Sequence, residues 1–169
     1  MDMRIVTRED VEALACRLTG NYAECNYAAA WGKLMQCLEN NGVGDCGAGA
    51  EYISLYCDNP QKTPPEACRL DVCIAAEAGH ETVRSLVRNM KLGDGVRRTV
   101  IPGGRYAVFV HRGPYERLCE TYAYIYGEYL PKGEVTDDSE ARGGMFEKYL
   151  CPPGTPPEQL VTEIYIPIK

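Results

Sequence analysis

Histidine and phenylalanine are scarce in this chain, and tryptophan is single: two His, two Phe and one Trp among 169 residues. Two histidines, His80 and His111, neither near a cysteine pair, give poor support to a zinc site. Nine cysteines are present, but no C-x-x-C spacing occurs among them, and metal-ligand arithmetic fails again. Their odd count, in a chain with no secretory leader pattern, fits reduced and mostly buried thiols. No apolar run approaches the ~20 residues that span a bilayer, and "MDMRIVTRED" has no signal-peptide core, so a cytoplasmic location is expected. Cationic excess is missing too: the net charge is −6, which argues against a protein that binds nucleic acid by neutralising phosphates. The Gly-rich "NNGVGDCGAGA" (40–50) lacks the Lys-Ser/Thr ending of a phosphate loop and reads as a connector.

Charge is also uneven. Residues 80–98 hold five Lys/Arg against two acids, a local +3 that leaves −9 for the rest. An acidic body favours cationic or neutral small partners. The basic stretch reads most simply as the wet side of a short amphipathic helix carrying Val83, Leu86, Val87 and Met90.

What the chain does have is an internal repeat. "EYISLYCDNPQKTPPEACRLDVCIAA" (51–76) resembles "MFEKYLCPPGTPPEQLVTEIYIPI" (145–168), with Cys57 set on Cys151 and "TPPE" in both. Upstream, residues 13–41 align with 106–134, superposing Gly20 on Gly113 and Tyr22 on Tyr115. Each half therefore reads as strand, Gly-x-Tyr turn, helix, loop, strand, TPPE turn, strand. The helical stripes are Tyr27, Trp31, Leu34, Met35 and Leu38 in the first half, and Leu118, Tyr122, Ile125, Tyr126 and Tyr129 in the second. Most members are expected to pack on a sheet, while Trp31 could wall a cleft. Neither half can close a core alone. The fold class expected is α+β: a single domain over 1–169 built of duplicated βαββ modules, 1–78 and 100–169, joined by a linker, 79–99. A pseudo-twofold would relate the modules, with an antiparallel sheet, helices on one face and a central groove.

Strand alternation then sorts the acids. Phe146 and Leu150 share one face of their strand, Glu147 and Tyr149 the other; in the last strand Ile164 and Ile166 oppose Val161, Glu163 and Tyr165. If the apolar sets meet the helices, Glu147, Tyr149, Glu163 and Tyr165 converge on the face turned toward the other half. Two carboxylates with two tyrosines suit a lipophilic cation, because aromatic faces attract cations and a carboxylate supplies the counter-charge. The same pattern also describes an exposed, solvated strand face, and the residues alone leave both readings open. At the aligned first-half positions stand Ile53, Leu55, Asp71 and Cys73, so the acidic-aromatic character belongs to the second half.

With "YCDNPQKTPPEACRLDVCI" (56–74), "IPGGRYAVFVHRGPYERL" (101–118), "FEKYL" (146–150), "TEIYIPIK" (162–169) and "AAWGKLMQCLENNG" (29–42) in this order, the chain resembles the GyrI-like small-molecule-binding domain family. Members occur alone, as DNA gyrase inhibitors, and as effector-binding modules of AraC-type and multidrug-sensing regulators. The resemblance implies a duplicated SHS2 fold with a ligand groove. It implies that Glu147 is the buried acid that meets cationic drugs, with Glu163, Tyr165, Tyr149, Trp31 and Tyr106 as further ligand-binding residues. No helix-turn-helix pattern accompanies the domain, so a stand-alone binder of lipophilic, cationic compounds is expected, without cofactor, metal, membrane or direct nucleic-acid contact. DNA gyrase or a transcriptional regulator would be a protein partner. The family also implies an alternative, hydrolysis of electrophilic cyclopropane-type toxins with Glu147 as general base; its linker "HETVRSLVRNMKLGDG" is longer than the family's.

Overall fold

The fold was obtained as a computed structural model, which describes residues 1–169. Eight strands form one antiparallel sheet: β1 (Met3–Arg8), β2 (Val11–Thr19), β3 (Ala50–Tyr56), β4 (Arg69–Ala76), β5 (Val96–Ile101), β6 (Gly104–Arg112), β7 (Met145–Tyr149) and β8 (Val161–Pro167). Their order across the sheet is β1-β6-β8-β7-β3-β4-β2-β5. The order is symmetric about the β7–β3 seam, which places a pseudo-twofold at the centre of the sheet. Helix α1 (Tyr27–Asn40) follows β2, α2 (Glu81–Asn89) follows β4, and α3 (Leu118–Tyr124) follows β6.

The two Gly-x-Tyr turns are built alike. Gly20 (φ +139) and Gly113 (φ +117) occupy backbone space that disfavours side chains, and each donates its N–H across to the other end of its module, to the Cys68 and Leu160 carbonyls at 2.8 and 2.9 Å. Each TPPE segment becomes a short 3-10 turn, Pro65–Ala67 and Pro157–Gln159.

The modules exchange edge strands. β1 pairs with β6 of the second half, and β5 pairs with β2 of the first. Segment 79–99 is thus more than a linker, since it carries α2 and the start of β5. Only Glu9 and Asp10 connect β1, at one end of the strand order, to β2 near the other. Consecutive Cα atoms are ~3.8 Å apart, so so short a link forces the sheet to curl until its ends meet. There Gly103 donates its N–H to Asp10 Oδ1 at 2.6 Å.

All three helices lie on one face. Leu34, Cys37 and Leu38 of α1 and Val83 and Val87 of α2 pack on Leu14, Leu70, Val72 and Ile74. Ile125 and Tyr129 pack on Phe109, Ile164 and Ile166. Met35, expected in the first stripe, is exposed, and Cys37 takes the buried place instead. The second stripe leaves α-helical geometry: α3 passes into a π turn, Ile125–Tyr129. That turn sends Ile125 and Tyr129 into the core and leaves Tyr126 at the surface.

The opposite face has no helix over it and is closed by the curl itself. Small residues Ala13, Ala15, Cys73 and Ala75 let Ile53, Phe146, Tyr106 and Tyr165 pack there in a second core. The basic stretch is tied down rather than free. Arg88 binds Glu12, Arg97 binds Asp71, and Arg98 donates to the Val87 and Met90 carbonyls at the end of α2. All nine cysteines are free; four are buried, four partly exposed, and Cys119 is exposed, so fewer are buried than the sequence suggested.

Candidate ligand-binding site

Register pairs lay a single row across all eight strands on the helix face: Val96, Cys16, Val72, Ser54, Glu147, Ile164, Phe109 and Met3. Every member is apolar except the central two. Ser54 and Glu147 are directly opposed on the β3–β7 seam, and both are buried. A carboxylate therefore sits in the middle of a sheet, under the gap between α1 and α3.

Three hydroxyls hold it. Tyr56 and Tyr149 donate to Glu147 Oε1 at 3.1 and 2.9 Å, and Tyr122 of α3 donates to Oε2. Tyr149 in turn accepts from the Ser54 hydroxyl, whose Oγ lies 2.8 Å away, and Tyr27 of α1 lies 3.5 Å from Tyr56 by hydroxyl oxygens. Burial, and then the Glu147 charge, push the Tyr56, Tyr122 and Tyr149 phenols well above their ordinary range. All three therefore stay protonated as donors at neutral pH. No lysine, arginine or histidine is paired with Glu147; every ion pair in the molecule involves another acid.

Aromatic rings surround this group. Trp31 lies 6.3 Å from both Tyr52 and Tyr149 by ring centroids, Tyr115 stands edge-on to Tyr149 at 5.8 Å, and Tyr126 stacks on Tyr122 at 6.4 Å. Gly144, just before β7, is needed to bring this strand in: a Cβ there would come 2.0 Å from the Tyr56 carbonyl oxygen. Glu147 itself is buried beneath these rings, with 3% of its surface exposed.

The six residues singled out from sequence are split between the two faces. Glu147, Tyr149 and Trp31 come together under the helices. Glu163, Tyr165 and Tyr106 lie on the opposite face, because Phe146 pairs with Tyr165 and Lys148 with Glu163, whereas Glu147 pairs with Ile164. The expectation that Glu147, Tyr149, Glu163 and Tyr165 converge is thus incorrect. On that opposite face Glu163 accepts from Arg4 and, at 2.9 Å, from Tyr165, whose phenol burial and Glu163 push up to about 12. Tyr106 is covered by the Arg142 guanidinium, 4.6 Å from its ring centroid.

The error lies in the premise that both apolar sets meet the helices: Ile164 and Ile166 do, but Phe146 packs in the core of the opposite face. The repeat pairing of Glu147 with Ile53 is also one residue out of register. The connection 57–63 is one residue longer than its counterpart 150–155, so the offset that superposes Gly20 on Gly113 and Tyr22 on Tyr115 matches Glu147 with Ser54, not Ile53. The structure obeys this offset: the edge-on pair Tyr22–Tyr56 in the first half recurs as Tyr115–Tyr149 in the second. Sequence reasoning missed Ser54, Tyr52, Tyr56 and Tyr115 for the same reason. Tyr122 was visible as a stripe member but was assigned to sheet packing.

The curled antiparallel sheet with three helices on one face defines a domain of α+β architecture. The chain belongs to the GyrI-like small-molecule-binding domain family, a model of which matches residues 1–169. It is 24% identical over 150 residues to a DNA gyrase inhibitor of Yersinia enterocolitica, covering 89% of this chain and 87% of that one. To a DNA gyrase inhibitor of Pectobacterium carotovorum it is 27% identical over 156 residues, covering 89% and 88%. Among solved structures, an EcmrR–DNA complex superposes with TM-score 0.72 at 16% identity, over 99% of this chain and 57% of that one. A hydrolase from Listeria innocua superposes with TM-score 0.62 at 14% identity (99% and 91%), and SAV2435 bound to tetraphenylphosphonium with 0.61 at 13% (100% and 94%). At these identities the superpositions establish the fold. No helix is long and apolar enough to cross a membrane.

Proposed function

We propose that this domain binds lipophilic cations between α1 and α3, with Glu147 as the counter-charge and Trp31, Tyr149, Tyr122 and Tyr56 as the aromatic surround. One observation carries the reading: a buried carboxylate held by three neutral hydroxyls with no cationic side chain paired to it. Burying an ion costs several kcal/mol, and proteins ordinarily offset that with an opposite charge. Here the hydroxyls orient the carboxylate without neutralising it, which leaves the neutralising charge to a ligand. The rings provide dispersion contact and negative π-faces for a delocalised cation, each worth up to ~2 kcal/mol when dry. Because Glu147 is buried beneath them, side chains must turn aside for the ligand to reach it. SAV2435, which shares the fold, has been solved bound to tetraphenylphosphonium, a cation of this kind. Trp31, the only tryptophan, is a built-in reporter. Titrating the protein with tetraphenylphosphonium should quench or shift its fluorescence saturably. Binding by Glu147→Gln as tight as by wild type would sink the anchoring role.

A further inference from the structure

Within the sheet, Thr162 carries a buried polar group that no other part of the chain satisfies. Its side chain is fully buried, and its Oγ1 has no hydrogen-bond partner. Buried hydroxyls are nearly always satisfied, because leaving one unpaired forfeits its hydration with no return. Thr162 lies on the helix face of β8, opposite Tyr149 on β7 and His111 on β6. Both neighbours are engaged elsewhere. Tyr149 bonds Glu147 and Ser54. His111 has Nδ1 2.8 Å from Thr121 Oγ1 and Nε2 3.0 Å from the Pro114 carbonyl oxygen. Tyr115, edge-on to Tyr149 and 45% exposed, stands at this end of the site.

Thr162 is also at a defined place relative to the acid. Glu147 is opposite Ile164, so Thr162 is its diagonal neighbour across one strand pair, a separation of about 7–8 Å in an antiparallel sheet. A ligand that displaces the Tyr115 and Tyr149 rings would reach both groups from the same side of the sheet.

We infer that Thr162 is a specificity-determining residue of the Glu147 site, the neutral hydrogen-bond point for a cation that carries a hydroxyl or carbonyl oxygen roughly 7 Å from its positive centre. The inference rests on the cation-binding reading above and narrows it: Glu147 supplies charge attraction to any lipophilic cation, and Thr162 chooses among them. A hydroxyl that starts unpaired has no bond of its own to give up, so only the desolvation of the ligand's oxygen opposes the new bond.

The test uses two probes of one shape, tetraphenylphosphonium and (4-hydroxyphenyl)triphenylphosphonium, titrated against wild type, Thr162→Val and Thr162→Ser. Wild type should bind the hydroxylated probe about tenfold more tightly, the scale of one buried hydrogen bond. Thr162→Val, close to isosteric, should lose that preference while keeping its affinity for tetraphenylphosphonium, and Thr162→Ser should retain it. Thermal unfolding checks the fold, and Thr162→Ala replaces Thr162→Val should the latter unfold. Equal binding of both probes by wild type, or a preference that survives in Thr162→Val, overturns the role of Thr162 and leaves the Glu147 reading standing. Failure of wild type to bind either probe overturns both.

Discussion

The two faces of the sheet bury acids in opposite ways. On the face closed by the curl, Glu51 takes two hydrogen bonds from Arg8, at 2.8 and 3.1 Å, and one from Lys148 at 2.7 Å. Asp71 takes a bidentate pair from Arg17, at 3.0 and 3.1 Å, and a further bond from Arg97; Glu163 is held by Arg4. On the helix face Glu147 has three tyrosines and no cation. Paired acids complete an interior: their charges cancel locally, and Arg8 in addition covers the stacked rings of Phe146 and Tyr165, 5.2 Å from each centroid. The hydroxyl-held acid has no cationic side chain against it under the two helices. Burial therefore does not separate the two kinds of acid in this fold. The charge of the donors does.

Breaking the paired side should cost the most. Glu51→Gln leaves the Arg8 and Lys148 charges, both largely buried, without their counter-charge, and such half-pairs cost about 3–5 kcal/mol. Urea unfolding should show a loss of that order, while the fraction still folded binds tetraphenylphosphonium as before. An equal loss of affinity would mean that the two faces are not independent.

The unpaired side should respond in reverse. Glu147→Gln removes a charge that has no intramolecular partner, so stability should change by less than about 1 kcal/mol or rise. Cation affinity should fall by about 2–3 kcal/mol, roughly 30- to 150-fold, the scale of deleting one member of a desolvated charge pair. A large drop in stability with little change in affinity would reverse the assignment of the two faces.

How much of this contrast could be read from sequence follows from one residue of loop length. The repeat was plain, and with it the α+β class, the pseudo-twofold and the Gly-x-Tyr turns, because glycine at a positive φ and the TPPE turns leave fixed local signatures. Glu147 stood out for a similar reason, as an acid amid "MFEKYL". The faces were not legible. Side chains alternate along a strand, so aligning β7 with β3 one residue out of register assigns every side chain of β7 a partner from the wrong face. Setting Cys57 on Cys151 absorbed that difference in the wrong place. The exchange of β1 and β5 was equally hidden, since which edge a strand joins depends on the curl of the whole sheet. Nor did the stripe position of Tyr122 reveal that its hydroxyl would meet Glu147.

Acid should separate the faces more gently. Burial by itself pushes the Glu51 carboxyl up, but the Arg8 and Lys148 hydrogen bonds outweigh it and hold the group below the usual carboxylate range; Arg17 and Arg97 do the same for Asp71. A lowered folded-state pKa stabilises the fold at any pH above the unfolded value, about 4 for these groups. That contribution is lost as pH falls through the folded value. Stability should therefore hold from pH 7 to about pH 5 and decline below pH 4. Glu51→Gln should flatten that decline as well as lower the plateau. An acid limb of unchanged slope in this variant would show that its ion pairs do not govern the acid response.

The smallest effect concerns the hydroxyls that hold Glu147. Tyr56→Phe and Tyr122→Phe each delete one donor and keep the ring. Tyr56 shares Oε1 with Tyr149, whereas Tyr122 is the sole donor to Oε2. Losing Tyr56 leaves both oxygens with a partner, and losing Tyr122 strips one oxygen bare. Tyr122→Phe should thus destabilise the ligand-free protein by about 1–2 kcal/mol, the cost of an unsatisfied buried acceptor, and Tyr56→Phe by less than 1 kcal/mol. Bound cation sets positive charge against the Oε2 that Tyr122→Phe leaves bare, so saturating tetraphenylphosphonium should raise the melting temperature of that variant more than that of wild type. Equal ligand-induced shifts in the two proteins would mean that the cation does not approach the Oε2 side of Glu147.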